Sequence, residues 1–260
     1  MNVGILRQTY PEPPIPQGFK ANVLVFSPHP DDAEIGTGGV LAKLKDAGAT
    51  TAIVDLTEGE MSTGGTVEDR RTECVAAAKI LKLDYRGTLG LPDCGLDDTF
   101  EYRKALGRVI RILRPDIIFA PYYGQKPGRG RGHNDHIKAG ILASHAFNYA
   151  HLAKLDPQTE PHQARALFYY FLPSEVTPHI IVPVDDYYEQ WIGSIMAHRS
   201  QFGDPEKNPE MRVFFEGHAR QYGRLSSCKY AQAFLCEKPL VVLDPLEQVM
   251  SACPGSREKP

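Results

Sequence analysis

Three features of the 260-residue sequence predict an α/β fold with a mostly parallel sheet. Apolar runs such as Ala21–Ser27 (ANVLVFS), Thr50–Thr57 (TTAIVDLT) and Pro115–Pro121 (PDIIFAP) are short and nearly continuous, as in strands buried on both faces. Segments with apolar residues at helical spacing separate them, an alternation that covers both faces of a parallel sheet with helices. The length lies near the ceiling for one hydrophobic core, roughly 250–300 residues, so one large domain is expected.

In chain order, Glu34–Ala47 follows the first strand as a helix, with Ile35, Val40, Leu41 and Leu44 at helical spacing and Gly48 as its stop. The Gly36-x-Gly38-Gly39 run within it lacks the third glycine of a dinucleotide fingerprint, so its glycines are expected to let the helix pack closely on the sheet. After the second strand, Val67–Leu83 and Phe100–Leu113 read as helices, and the third strand follows. Asp135–Leu152 reads as a helix, Leu167–Leu172 and Ile180–Val184 as strands, and Asp185–Gln201 as a last helix. Residues 1–19, which include YPEPPIPQG (Tyr10–Gly18), predict a Pro-rich arm without a core contribution of its own. Residues 20–247 are expected to form a single domain and 248–260 a frayed tail. The architecture is Rossmann-like, and such sheets place their ligand sites outside the carboxyl ends of the strands.

Charge and cysteine usage exclude several function classes. Lys and Arg number 29 against 32 Asp and Glu, a net charge of −3, so the basic surplus needed to neutralise nucleic-acid phosphates is missing. Lys126, Arg129 and Arg131 form only a short basic loop. No apolar run approaches the ~20 residues of a membrane span, and the N-terminus has no apolar stretch of signal-peptide length, which predicts a cytoplasmic protein. Cys74, Cys94, Cys228, Cys236 and Cys253 form no CxxC pair, which argues against a disulfide framework or a thiolate cage. Any metal is therefore expected on histidines and carboxylates.

Two polar clusters follow predicted strands. The first, Ser27-Pro28-His29-Pro30-Asp31-Asp32, follows the first strand, and its prolines hold the backbone extended around His29. Adjacent carboxylates point in different directions, so one of Asp31 and Asp32 can face a metal while the other faces a substrate. A plainer reading makes Asp32 a helix N-cap and Asp31 a solvated turn residue. The second cluster, Gly132-His133-Asn134-Asp135-His136, opens the helix after the third strand, and residues three apart share a helical face. Each motif is weak alone. Together they offer His, Asp and His at two strand ends of one sheet, a donor set suited to zinc.

This pairing resembles the PIG-L/LmbE-like zinc N-deacetylases of N-acetylglucosamine conjugates. Within that family VDLTEGEMSTGG (Val54–Gly65), RRTECVAAAKIL (Arg70–Leu81), LGLPD (Leu89–Asp93) and KYAQAF (Lys229–Phe234) look like the branch that deacetylates N-acetylglucosaminyl malate in bacillithiol synthesis. The sequence departs from the family pattern at Asn134, where proline is usual, and in the basic stretch Gly124–Gly132. By position, the resemblance implies that His29, Asp32 and His136 are the metal ligands, Asp31 the general base, and His133 the group that stabilises the oxyanion or protonates the amine. It implies that Asp135 orients and charges His133, that Arg70 and Asp93 contact substrate, and that Tyr230 and Glu60 lie nearby. An open coordination position would supply activated water. Zinc is the expected metal, and ferrous iron accepts the same ligands. The implied partner is a small amino-sugar conjugate, and similar proteins commonly form hexamers or other homo-oligomers.

From the residues alone, Arg70 suits an anionic substrate group, or else pairs on a helix surface with Glu73 or Glu68. Two other functions remain readable. A magnesium phosphoryl-transfer site at Asp31 and Asp32 would not call for two imidazoles, and a non-catalytic binding module would have no need of Asp31. His145, His151, His162, His179, His198 and His218 are expected to be satisfied core or surface residues.

Overall fold

The computed structural model describes residues 5–11, 18–124, 133–204 and 207–241. Its strands are β1 (Arg7–Tyr10), β2 (Val23–Ser27), β3 (Thr51–Asp55), β4 (Tyr85–Thr88), β5 (Ile117–Pro121), β6 (Ala166–Tyr170), β7 (Ile180–Pro183) and β8 (Ala231–Cys236). They form one sheet in the order β1-β4-β3-β2-β5-β6-β8-β7. The centre from β4 to β6 is parallel, while β1, β8 and β7 each run antiparallel to their inner neighbour.

The continuous apolar runs do what their composition requires. Every residue of β2 and β3 is buried. Alternate side chains of β2 enter different cores: Leu24 and Phe26 pack with Leu106, Val109, Leu142 and Phe147, while Val23 and Val25 pack with Val40, Leu41, Trp191 and Ile192. The first core is covered by α3 (Phe100–Leu113) and α4 (Asn134–Tyr149). The second is covered by α1 (Asp32–Asp46), α2 (Val67–Leu81), α5 (Tyr188–Met196) and α7 (Pro209–Gly223). Helices thus flank both faces, as the sequence predicts. The glycines of α1 allow its close approach: a Cβ on Gly36 would lie 2.2 Å from the Tyr170 ring, and one on Gly38 2.7 Å from Trp191.

The structure adds elements that the periodicity does not reveal. Arg7–Tyr10 continues the sheet antiparallel to β4, so this part of the N-terminal arm does join the sheet. Residues 1–4 and 12–17 of the Pro-rich arm, the basic stretch 125–132 and the expected tail (248–260) lie outside the described residues. β4 (YRGT) has no apolar run to betray it, because Arg86 is buried there by ion pairing: it binds both oxygens of Asp55, at 2.8 and 2.9 Å, and also Glu34. The expected Asp185–Gln201 helix is broken. Asp185–Tyr187 is a 3-10 turn, α5 ends at Met196, and α6 (Arg199–Phe202) restarts after His198. His198 is non-helical at ψ 64° and fully buried, with Nε2 3.2 Å from Glu34, so a long-range contact replaces local helical spacing. Among the described residues, no helix is long and apolar enough to cross a membrane.

Candidate metal centre and active site

The chain leaves β2 towards β3 on one side and returns to β5 on the other, so the carboxyl ends of β2 and β5 flank a topological switch point. His29 to Asp32 lie directly beyond β2, and His133 to His136 open α4 after β5. Residues 104 positions apart, His29 and His133, thereby place their ring centroids 4.9 Å apart.

The first turn of α1 is organised by Ser27. Its Oγ donates to the His29 carbonyl at 2.6 Å and accepts the Ala33 N–H at 3.0 Å, so it satisfies a helix N-terminal donor. Asp31 occupies the N-cap position, yet its side chain caps nothing. Its backbone has φ 116°, a strained value for a non-glycine residue that costs about 1–3 kcal/mol and tends to be kept at functional sites. That geometry turns the Asp31 carboxylate to the Arg70 guanidinium, 3.2 Å away, while Asp32 faces the other way. The plainer reading of Asp32 as an N-cap therefore does not hold. Burial and the neighbouring Asp32 charge push the Asp31 carboxyl up to about 7, against the pull of His198 and Arg70.

Asp32 is the focus of the cluster. Its Oδ2 lies 2.9 Å from His29 Nδ1 and 3.1 Å from His136 Nε2. Two donors on one zinc ion, each about 2.0–2.1 Å from it, would be separated by roughly 3.3 Å in tetrahedral geometry, so both separations from Asp32 suit donors that share an ion. Ligand nitrogens of His29, His133 and His136 also fall within 4.8 Å of one another. Burial opposes ionisation of Asp32, but His136 and His29 hold its carboxyl far below the usual range.

On the far side of the His29 ring, Nε2 lies 3.1 Å from Asp93 and 3.3 Å from Asp135. Burial works against a charged His29, but Asp135, Asp32 and Asp93 push its pKa up to about 12, a measure of how strongly these carboxylates favour a positive charge. Asp135 is fully buried, and its Oδ1 has no hydrogen-bond partner. The donor set, the carboxylate surplus and the orphaned oxygen all suit a divalent cation.

Comparison with known proteins agrees with this chemistry. Residues 24–147 match the family model PIG-L, GlcNAc-PI de-N-acetylase. The diacetylchitobiose deacetylase of Thermococcus kodakarensis is 32% identical over 234 residues, which span 81% of this chain and 80% of that protein. The chain belongs to the PIG-L family of deacetylases. Among solved structures, a conserved protein of Thermus thermophilus superposes with a TM-score of 0.77 at 38% identity, covering 86% of this chain and 97% of that one. The N,N'-diacetylchitobiose deacetylase of Pyrococcus horikoshii, solved with an inhibitor, gives 0.75 at 28%, covering 88% and 89%.

Several expected roles in this PIG-L deacetylase shift once the geometry is known. Asp135 does not face His133. Its carboxylate is turned to His29 and to the Cys94 N–H at 2.7 Å, while His133 Nδ1 accepts the Asp135 N–H at 3.2 Å as the cap of α4. Arg70 is neither an open anion fork nor a partner of Glu73 or Glu68: it is 3% exposed and donates to Asp31 and the Pro30 carbonyl. Glu73 instead binds Ser200, and Glu68 binds Arg71. Asp93 joins the metal cluster through His29, and Glu60 accepts the Asp93 N–H at 2.7 Å, which holds that turn.

Tyr230 is not brought to the cluster at all. Its ring stacks on Tyr188 with centroids 3.7 Å apart, and its hydroxyl donates to Glu216 at 2.9 Å. Tyr230→Phe should therefore keep kcat/KM within about twofold of wild type and cost about 1 kcal/mol for the lost hydrogen bond. Steady-state kinetics beside a urea melt will show this, and a hundredfold loss of turnover would return Tyr230 to the site. Sequence reasoning missed Ser27 and the contact of Asp93 with His29. Ser27 was readable as the hydroxyl residue at a strand end, six residues before the donor it satisfies. The Asp93 contact had no local signal.

Proposed function

We propose that this deacetylase hydrolyses the N-acetyl group of an N-acetylglucosamine conjugate, with zinc held by His29, Asp32 and His136. The observation that carries the reading is the convergence of His29 Nδ1 and His136 Nε2 on one Asp32 oxygen, with a second carboxylate, Asp31, turned aside next to it. A divalent cation bound there supplies Lewis acidity to the amide carbonyl and to water. Asp31 accepts the proton of the attacking water and directs its oxygen to the acyl carbon. His133 uses Nδ1 to accept a backbone N–H, so its neutral ring carries the proton on Nε2 and donates it as a hydrogen bond to the developing oxyanion. Asp93 and Asp135 accept from His29 Nε2, which leaves Nδ1 as the ligand atom. The proton gained by Asp31 then passes to the leaving amine.

The branch-like segments favour N-acetylglucosaminyl malate as substrate, and the thermococcal relative makes diacetylchitobiose the comparison. The test is primary-amine release from both, with enzyme as purified, chelator-stripped and zinc-restored. Turnover of at least one should fall to background on stripping and return with zinc. Release that ignores the chelator would overturn the metal assignment, and no release from either would overturn the substrate class.

A further inference from the structure

The cluster of His29, Asp32 and His136 has two unlike sides. On one side are charged groups bound to one another: Asp31 accepts from Arg70 at 3.2 Å, and Asp93, whose N–H Glu60 accepts, lies 3.1 Å from His29. On the other side Asp32, His133 and His136 form one wall of a cavity of about 850 Å³. None of the four polar residues lines it. Its walls are mostly apolar, among them Phe171, Leu172, Trp191, Met211, Phe215 and Ala233, with Asn134, His218 and Tyr222 as polar groups in the lining. The amide of Gln232, which also borders it, is tied to α1: Oε1 accepts the Val40 N–H at 2.9 Å and Nε2 donates to the Ile35 carbonyl at 3.2 Å.

An acetyl methyl group does not need this volume, which lies within the ~300–1,000 Å³ of pockets that enclose whole drug-sized ligands. A sugar ring placed there would set most of its hydroxyls against apolar walls, at a cost that grows with burial. A hydrocarbon chain suffers no such penalty and gains from leaving water. The scissile amide must straddle the metal cluster, so the amine half of the substrate falls on the polar side and the acyl half on the apolar side. We infer that the cavity is an acyl-chain site and that the enzyme removes medium-chain N-acyl groups from glucosamine derivatives in preference to acetyl. The inference rests on the deacetylase reading above and extends it to the acyl group. The reaction stays a hydrolysis: the water oxygen bonds to the acyl carbon, the C–N bond breaks, and a proton goes to the nitrogen, giving a fatty acid and free amine.

The test is amine release by zinc-loaded enzyme from N-acetyl-, N-butyryl-, N-hexanoyl- and N-octanoyl-glucosamine. A fully buried methylene is worth about fourfold in kcat/KM, so the hexanoyl compound should exceed the acetyl compound by tenfold or more. Ala233→Phe fills the cavity from β8 and Leu172→Trp fills it from the loop after β6, so a folding failure of one leaves the other. Either should cut the hexanoyl-to-acetyl ratio about tenfold. Cleavage of acetyl with a flat or falling response to chain length overturns the inference alone. So does a wild-type preference that both filled variants retain, because the chain would then lie elsewhere. No amine from any of the four overturns the deacetylase reading together with it.

Discussion

Asp31→Asn is expected to lower kcat by about 10²–10⁴ while metal content stays at the wild-type level, the range associated with losing a positioned general base. The substitution is nearly isosteric, and asparagine tolerates positive φ better than most residues, so the strained backbone at φ 116° should survive. Asp31 does not share the oxygen that His29 and His136 converge on, which is why its loss should spare metal binding. What disappears is the carboxylate next to Arg70, replaced by an amide that cannot accept a proton from water. Metal stoichiometry measured beside single-turnover amine release separates the two effects. Loss of metal along with activity would make Asp31 a ligand, and retained turnover would remove it from the mechanism.

Arg86→Met should destabilise the fold by about 3–5 kcal/mol, because it strands two buried carboxylates that no other cation replaces in kind. Arg86 and Glu34 are fully buried and Asp55 is 3% exposed. Burial alone would raise the Glu34 carboxyl, yet Arg86 and His198 hold it down to about 2, from an ordinary 4.5. A depressed carboxyl contributes its stability above the unfolded value. The Glu34 share is therefore complete above about pH 4.5 and is lost as pH falls towards 2. In Arg86→Met that acid dependence should shrink, since protonation then relieves an unpaired charge. Urea melts at pH 7 and pH 4 read both effects. The triple variant Glu34→Gln, Asp55→Asn, Arg86→Met removes every charge of the triad and should recover part of the loss. If Arg86→Met melted like the wild type, the triad would carry no stability.

The effect of that triad on the sheet also explains which elements escape a linear reading. Thr51–Asp55 announces itself because its buried residues are mostly apolar and β-branched. Tyr85–Thr88 does not, because its central side chain is an arginine whose burial depends on Asp55, 31 positions earlier, and on Glu34. Likewise Asp185–Gln201 has helical spacing throughout, but His198 breaks it to reach the same buried carboxylate. Arg7–Tyr10 becomes a strand only through its pairing with β4.

The α/β class, the central strands, the helices on both faces and the two motifs were legible along the chain, because apolar period, glycine placement and donor chemistry are local properties. So were the histidines and carboxylates that meet beyond β2 and β5. Which atoms face one another was set by folding alone. Folding moved Asp135 from His133 to His29, drew Asp93 into the cluster, buried Arg70 against Asp31, and left Tyr230 stacked on Tyr188. It also opened an apolar cavity on one side of the cluster. Those outcomes depend on distances of a few ångströms between segments tens of residues apart, and strand order and helix packing set such distances, while spacing along the chain does not.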